Sequence, residues 1–126
     1  MHKKIHSSLI ALAFLLLSVA TAVSQALIFD VVSTRTMITI DGHPAVSINL
    51  SQDSKSKFAK LTADYTGRIF EFRTPEKVLM KARIVTSMLS GELQIVGAFN
   101  EDEAVGLARR IALGELKIEV IVLNDQ

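Results

Sequence analysis

The stretch DGHPAVSINLSQDSKSKFAKLT, residues 41–62, holds a turn, a strand and a helix in direct succession. Asp41-Gly42 is a pair that reverses a chain, because glycine enters the left-handed backbone region without a Cβ clash. Pro44 has no N–H to give to a ladder, so it sits at a strand end. From Ala45 to Leu50 the polarity alternates. Val46, Ile48 and Leu50 share one face, and Ala45, Ser47 and Asn49 the other, which is the period of a half-buried strand. Ser51 or Asp53 caps the helix that follows. Phe58, Leu61 and Tyr65 recur at helical spacing, with Lys55, Lys57 and Lys60 on the solvent side. Gly67 supplies the stop.

Toward the C-terminus a second set of similar elements follows. Arg68–Arg73 (RIFEFR) alternates with Phe70 and Phe72 inward. Thr74-Pro75-Glu76 turns the chain into an extended excursion, Lys77–Val85. Ser90-Gly91 is a break, and Glu92–Val96 is a strand with Leu93 and Ile95 inward. Asn100 with Glu103 three residues on has the form of a capping box. Ala104, Leu107, Ala108 and Ile111 make that helix's buried stripe, and Gly114 ends it. Leu116–Leu123 is apolar on both faces, so a central strand is expected. Toward the N-terminus, Thr36–Asp41 and Leu27–Val32 are further strands. The order predicts an α+β domain: a ferredoxin-like, split βαβ sheet with two helices on one face, plus N-terminal strands.

The first residues have a different character. Lys3 and Lys4 precede nine unbroken apolar residues, Leu9–Leu17, and small residues follow in SVATAVSQA. That is the pattern of an export leader, with cleavage expected after Ser24 or Ala26. The expected organisation is a signal peptide over 1–26, forming a signal helix, and one domain over 27–126, periplasmic or secreted. The run is short against the roughly 20 residues of a membrane span. Left uncleaved, it would hold the domain at the inner membrane.

Without Lys3 and Lys4, twelve basic residues face 13 acidic ones, a net charge of −1. Such a balance gives no electrostatic footprint for nucleic acid. The absence of cysteine excludes disulfides, a thiolate nucleophile and cysteine-ligated zinc. A domain of this size buries roughly 65% of its unfolded surface, sufficient for a core without staples.

Little in the sequence points to catalysis. His43 is the one histidine beyond the leader, too few for a histidine-rich metal site, and no G-x-S-x-G turn presents a serine. Neither a Walker-type loop nor G-x-G-x-x-G occurs, so no cofactor is expected. Glu101, Asp102 and Glu103 have a structural role at a helix start. Glu71 and Glu119 are expected to face water. Asn49-Leu50-Ser51 matches the N-glycosylation pattern at a strand–helix junction. The informative feature is the sheet face turned away from the helices, where alternation places Ile69, Glu71, Arg73, Gln94, Val96, Ile121 and Leu123. That mixture suits a partner-binding or self-associating surface. Met88 and Leu89, in a loop, form a second apolar patch.

The block Asp41–Leu50, followed by Lys57-Phe58-Ala59-Lys60-Leu61-Thr62, resembles the head of the first periplasmic domain of the SecD family, membrane subunits of the bacterial preprotein translocase. The likeness continues through Gly67-Arg68, Lys77-Val78-Leu79, Gln94-Ile95-Val96-Gly97 with Phe99, and Glu103-Ala104 with Leu107-Ala108. It runs from about Ile38 to Val120. It implies a ferredoxin-like head outside the inner membrane that engages translocating polypeptide, and it implies no catalytic residues. The family's I-T-G-G loop stands here as Thr86-Ser87-Met88-Leu89-Ser90-Gly91, and its proline-containing stretch as Gly114-Glu115-Leu116. Proton-coupled movement, which needs transmembrane helices, is not implied. The expectation is a non-catalytic module for a protein or polypeptide partner, linked to protein export. The alternatives are a small periplasmic hydrolase using carboxylates and a structural domain that forms a homodimer through its sheet.

Overall fold

Two tight reversals decide which strands share a sheet. The structure, a computed structural model, describes residues 25–124. At the first reversal Thr39 donates its N–H to His43 O, Gly42 donates to Thr39 O, and Gly42 takes φ +83°. It joins β2 (Val31–Ile38) to β3 (Pro44–Leu50) as a hairpin. The second reversal, where Thr74 N–H donates to Lys77 O, joins β4 (Arg68–Arg73) to β5 (Val78–Ile84). The expected excursion Lys77–Val85 is therefore a paired edge strand.

The free edges of the two hairpins then take different partners. β3 pairs with β6 (Glu92–Val96), and β4 with β7 (Glu119–Val122), both antiparallel. With β1 (Ala26–Ile28) beside β7, the chain forms a four-stranded sheet, β1-β7-β4-β5, and a three-stranded sheet, β2-β3-β6. The class is α+β, but the single ferredoxin-like sheet does not form. A split βαβ keeps the strands on either side of a helix in one sheet. Here α1 (Gln52–Asp64) carries the chain from β3 in one sheet to β4 in the other, and α2 (Glu101–Ala112) carries it from β6 to β7. Alternation defines a strand's faces but not which strand meets its edge, so element order left this open. β7 does lie centrally, as its two-sided apolarity predicts.

Local signals hold at the helix ends. Ser51, rather than Asp53, caps α1 by accepting from Ser54 N–H at 3.2 Å. Asn100 and Glu103 make both bonds of the capping box, at 2.8 and 3.0 Å. The buried stripe of α1 is Ser54, Phe58 and Thr62, with Leu61 and Tyr65 only partly buried. Thr62 is tolerated because its Oγ1 donates to Phe58 O and accepts from Met88 N–H. α2 lies against β2 and β3 through Ala104, Ala108 and Ile111, and Thr34 Oγ1 donates to Ala108 O at 3.0 Å.

Both sheets and both helices close on one core. At its centre Phe58 stands edge-on to Phe29, Phe70 and Phe72, with ring centroids 5.1, 6.5 and 6.2 Å away. Gly97 marks a close approach within this shell. A Cβ there would lie 2.6 Å from Leu79 O and 2.8 Å from the Phe99 ring.

The lead-in expected as one strand, Leu27–Val32, breaks at Phe29-Asp30. Phe29 is fully buried and donates its N–H to Ile118 O, while Asp30 N–H donates to Ser54 Oγ and Asp30 O accepts from Ser51 N–H. These bonds turn the chain from one sheet into the other. β1 is tied in at its start, where Gln25 O accepts from Val122 N–H at 3.0 Å and Ala26 registers with Ile121. The expected leader and its signal helix lie outside the described residues, apart from Gln25 and Ala26. No helix among the described residues is long and apolar enough to cross a membrane.

On the surface, Arg110 of α2 holds Glu76 of the β4–β5 turn by two hydrogen bonds, 3.0 and 2.9 Å. The guanidinium, by hydrogen bond and then by charge, keeps the Glu76 carboxyl below the usual glutamate range.

Three outcomes follow from this architecture. Phe58→Ala removes the ring packed on Phe29, Phe70 and Phe72 and should cost about 3–5 kcal/mol in chemical denaturation. A chain starting at Leu27 loses the Gln25 and Ala26 bonds to β7, and should be less stable than one starting at Gln25 by about 1–2 kcal/mol. In an NMR titration Glu76 should protonate below the ordinary glutamate range, and Arg110→Ala should raise it. The sign follows from linkage: a depressed carboxyl favours the fold above its unfolded pKa, and the gain fades as pH falls through the folded value.

Candidate interaction surface

Phe70, Phe72, Val120 and Val122 turn into the core, so alternation sends Ile69, Glu71 and Arg73 of β4 and Glu119 and Ile121 of β7 outward. Register sets Glu71 opposite Ile121 and Arg73 opposite Glu119. Leu123, just past β7, donates its N–H to Ile69 O at 2.9 Å. At the flanks Ile28 of β1 registers with Glu119, and Val78 of β5 with Arg73; both side chains are exposed. Ile69, Ile121 and Leu123 are half-buried. Among the described residues no helix lies over this face.

Arg73 is the electrostatic hub of the face. Its Nη1 is 3.3 Å from Glu71 Oε2 and its Nε 3.4 Å from Glu119 Oε1, while Lys81 Nζ is 3.8 Å from Glu71 Oε1. Glu71 is only 8% exposed, contrary to the expectation that it faces water. Its register neighbours Ile121 and Lys81 flank it on both sides, and Arg73 and Lys81 compensate its charge. Both carboxylates are thus bound to one guanidinium.

Gln94 and Val96 do not join this face. They lie on β6 in the three-stranded sheet, registered with Ser47 and Ala45. Ser47 and Ala45 are fully buried under longer neighbours, and Ser47 Oγ donates to Glu92 Oε1 at 3.1 Å. Arg35 reaches the same carboxylate at 3.6 Å. The surface drawn from alternation is thus divided between two sheets. Met88 and Leu89 form a third location. The Met88 N–H donates to Thr62 Oγ1 and Ser87 Oγ to Ala59 O, both at 2.9 Å, which ties the loop to α1. Met88 is packed against the core, and Leu89 is exposed.

An open groove of about 410 Å³ adjoins the four-stranded face, lined by Ile28, Arg73, Val78 and Glu119 and closed off by Pro75, Glu76 and Lys117. The sequence signals this groove only indirectly, since turn residues and Lys117, two positions before β7, build half of it. Both of its acids are held by arginines, Glu76 by Arg110 and Glu119 by Arg73. Among the described residues no three histidines or carboxylates gather as metal ligands, and no buried side-chain polar atom lacks a hydrogen-bond partner. His43 is exposed in the β2–β3 turn.

The family described as SecDF, P1 head subdomain, matches residues 15–118. The protein translocase subunit SecD of Acidaminococcus fermentans is 32% identical over 85 residues, covering 68% of this chain and 20% of that protein. Two solved structures share the fold, each with a TM-score of 0.65 and 22% identity. One is a crystal structure of SecDF in a super-membrane-facing form, with 75% of this chain and 13% of that chain covered. The other is of SecDF described as a membrane component that enhances protein export, with 77% and 44% covered. The chain thus spans a fifth of the length of the curated relative it matches.

Proposed function

The chain belongs to the SecDF P1 head subdomain family, and on that premise we propose that it is a non-catalytic, polypeptide-binding module of protein export, acting in the periplasm. The observation that carries the reading is the uncovered outer face of the four-stranded sheet. Ile69, Ile121 and Leu123 lie there beside exposed Ile28 and Val78, around the Arg73 ion-pair hub. Apolar side chains supply affinity at roughly 25 cal/mol per Å² buried. The charges between them are already paired, so covering them leaves no charge without a partner. An extended or unfolded chain fits such a face because its affinity comes from apolar contact, not from one shaped pocket.

Three further elements belong to the proposal. The leader is removed after Ser24 or Ala26, or, left in place, anchors the module at the inner membrane. The partner is a protein or polypeptide and not a nucleic acid, in keeping with the balanced charge. The reading requires no cofactor and no catalytic residue. Carboxylate hydrolysis is disfavoured because Glu71, Glu76 and Glu119 are each held by arginine.

The test uses the purified protein and a permanently unfolded, fluorescently labelled protein, reduced and blocked at its cysteines. Binding should weaken at least tenfold in Ile69→Asp/Ile121→Asp, with the melting transition retained. Unchanged binding would remove the sheet face from the reading. Light scattering that shows a stable homodimer dissociated by the same pair would assign the face to self-association.

A further inference from the structure

We propose that the free edge of β2 pairs antiparallel with β2 of a second copy of this chain, joining two three-stranded sheets into one. This surface is separate from the four-stranded face, and the inference does not rest on the polypeptide-binding reading. Among the described residues no strand lies on the outer side of β2. The other sheet edges are guarded. β1 has only three residues, β5 carries Lys81 and Arg83, and β6 ends at Gly97, where the backbone closes on Leu79 O of β5. β2 runs for eight residues and carries neither lysine nor proline. Its one charge, Arg35, is engaged by Glu92 of the same sheet. A long edge without such guards is a template for another strand. The hairpin fixes which groups it offers. Thr39 N–H donates to His43 O, and hydrogen-bonded and open pairs alternate from there along β2. Thr34, Thr36 and Ile38 therefore turn their backbone N–H and C=O groups away from β3. Leu50, which gives its N–H to Gly91 O on the β6 side, fits the same phase.

The helix beside this edge is what selects a second copy as the occupant. Thr34 Oγ1 donates to Ala108 O. Thr36 lies about 6.6 Å farther along the strand, or roughly four helical residues, which brings it level with Ala104 and Val105. Thr36 and Ile38 line one groove with Glu101, Ala104 and Val105. Val105 is exposed there, as is Ile38. Glu101 stands four residues before Val105 on that flank and Arg109 four residues after it, the spacing of helical neighbours. Neither has an ion-pair partner among the described residues. A two-fold axis at Thr36 makes α2 antiparallel to its copy, with Val105 against Val105 and Glu101 against the second copy's Arg109, twice over. The flank is thus complementary to itself in charge. Along the edge Thr36 meets Thr36, and Thr34 meets the second copy's Ile38, for about six backbone hydrogen bonds. Other axes are poorer. At Arg35 two guanidinium groups oppose each other. At Thr34 the ladder runs into the register shift between Val31 and Ser33 and the two Arg109 side chains meet. At Met37 the acidic helix starts come together.

Sedimentation velocity on the purified protein should show a monomer–dimer equilibrium, unchanged in the Ile69→Asp/Ile121→Asp protein. Thr36→Pro removes an N–H that β3 does not use, so the melting transition should be kept while association weakens at least tenfold. Thr36→Lys sets two like charges on the axis without touching the backbone and should do the same. Arg109→Glu should weaken association about tenfold, and Glu101→Arg/Arg109→Glu should restore it. The chain has no cysteine, so Thr36→Cys reports the register. Facing residues of a hydrogen-bonded pair have Cα atoms about 5.5 Å apart, within disulfide reach, and oxidation should give a covalent dimer that Ile69→Cys does not give. A protein that stays monomeric into the millimolar range overturns the proposal. So does a dimer that survives both Thr36→Pro and Thr36→Lys, or one lost in the Ile69→Asp/Ile121→Asp protein. A charge swap that fails to restore association, or a Thr36→Cys protein that does not cross-link, overturns the axis at Thr36.

Discussion

The edge-on contact of Phe58 with Phe29, Phe70 and Phe72 is the joint on which the architecture turns. Each helix leaves one sheet and delivers the chain to the other, so neither sheet can be completed without its partner. Phe58 belongs to the first of these helices. Phe29 belongs to the segment where the N-terminal chain crosses from one sheet to the other, and Phe70 and Phe72 form the inner face of the four-stranded sheet. Phe58 touches each of the other three rings, and the edge-on geometry of these contacts fixes relative orientation as well as proximity. Substituting aliphatic residues would keep the burial but loosen that orientation.

Nearly every local feature could be read from the residues. The Asp41-Gly42 turn, the capping box from Asn100 to Glu103 and the inward Phe70 and Phe72 rest on patterns within a few residues, and two-sided apolarity marked the last strand as central. What escaped was the choice of strand edges. β3 has one face pattern whether its neighbour is β6 or β7, because alternation carries no information about the hydrogen-bonding direction. The break at Phe29-Asp30 was hidden for a similar reason. Its cause is Ser54, a helix residue 24 positions away that takes the Asp30 N–H. The burial of Glu71 depends on a cation from β5, a strand the element order treated as an excursion. Errors about the surface followed from the error about edges: once two sheets replaced one, Gln94 and Val96 parted from Ile69 and Ile121.

The two outer faces differ in chemistry, and that difference bears on function. On the three-stranded sheet the central strand carries Ala45 and Ser47, both fully buried by longer neighbours. Its polar atoms are already satisfied, with Ser47 and Arg35 sharing Glu92. A partner landing there would meet a surface that has closed over itself. On the four-stranded sheet the central strands carry large residues, and exposed Ile28 and Val78 stand at the edges.

Stability alone does not account for the ion pairs on that second face. Partly exposed pairs at 3.3–3.8 Å contribute at most about 1 kcal/mol each, and often less. Isoleucine and valine beside them would gain more by being buried within the fold than these pairs return. A sheet selected only for stability would therefore cover this face or make it uniformly polar. Keeping apolar side chains in water around a pre-paired charge hub is costly for an isolated domain. The arrangement becomes favourable when a second surface arrives, because the apolar groups are then buried and the charges need no rearrangement. Such a face accommodates many sequences of similar hydrophobicity, as the proposed polypeptide-binding role requires.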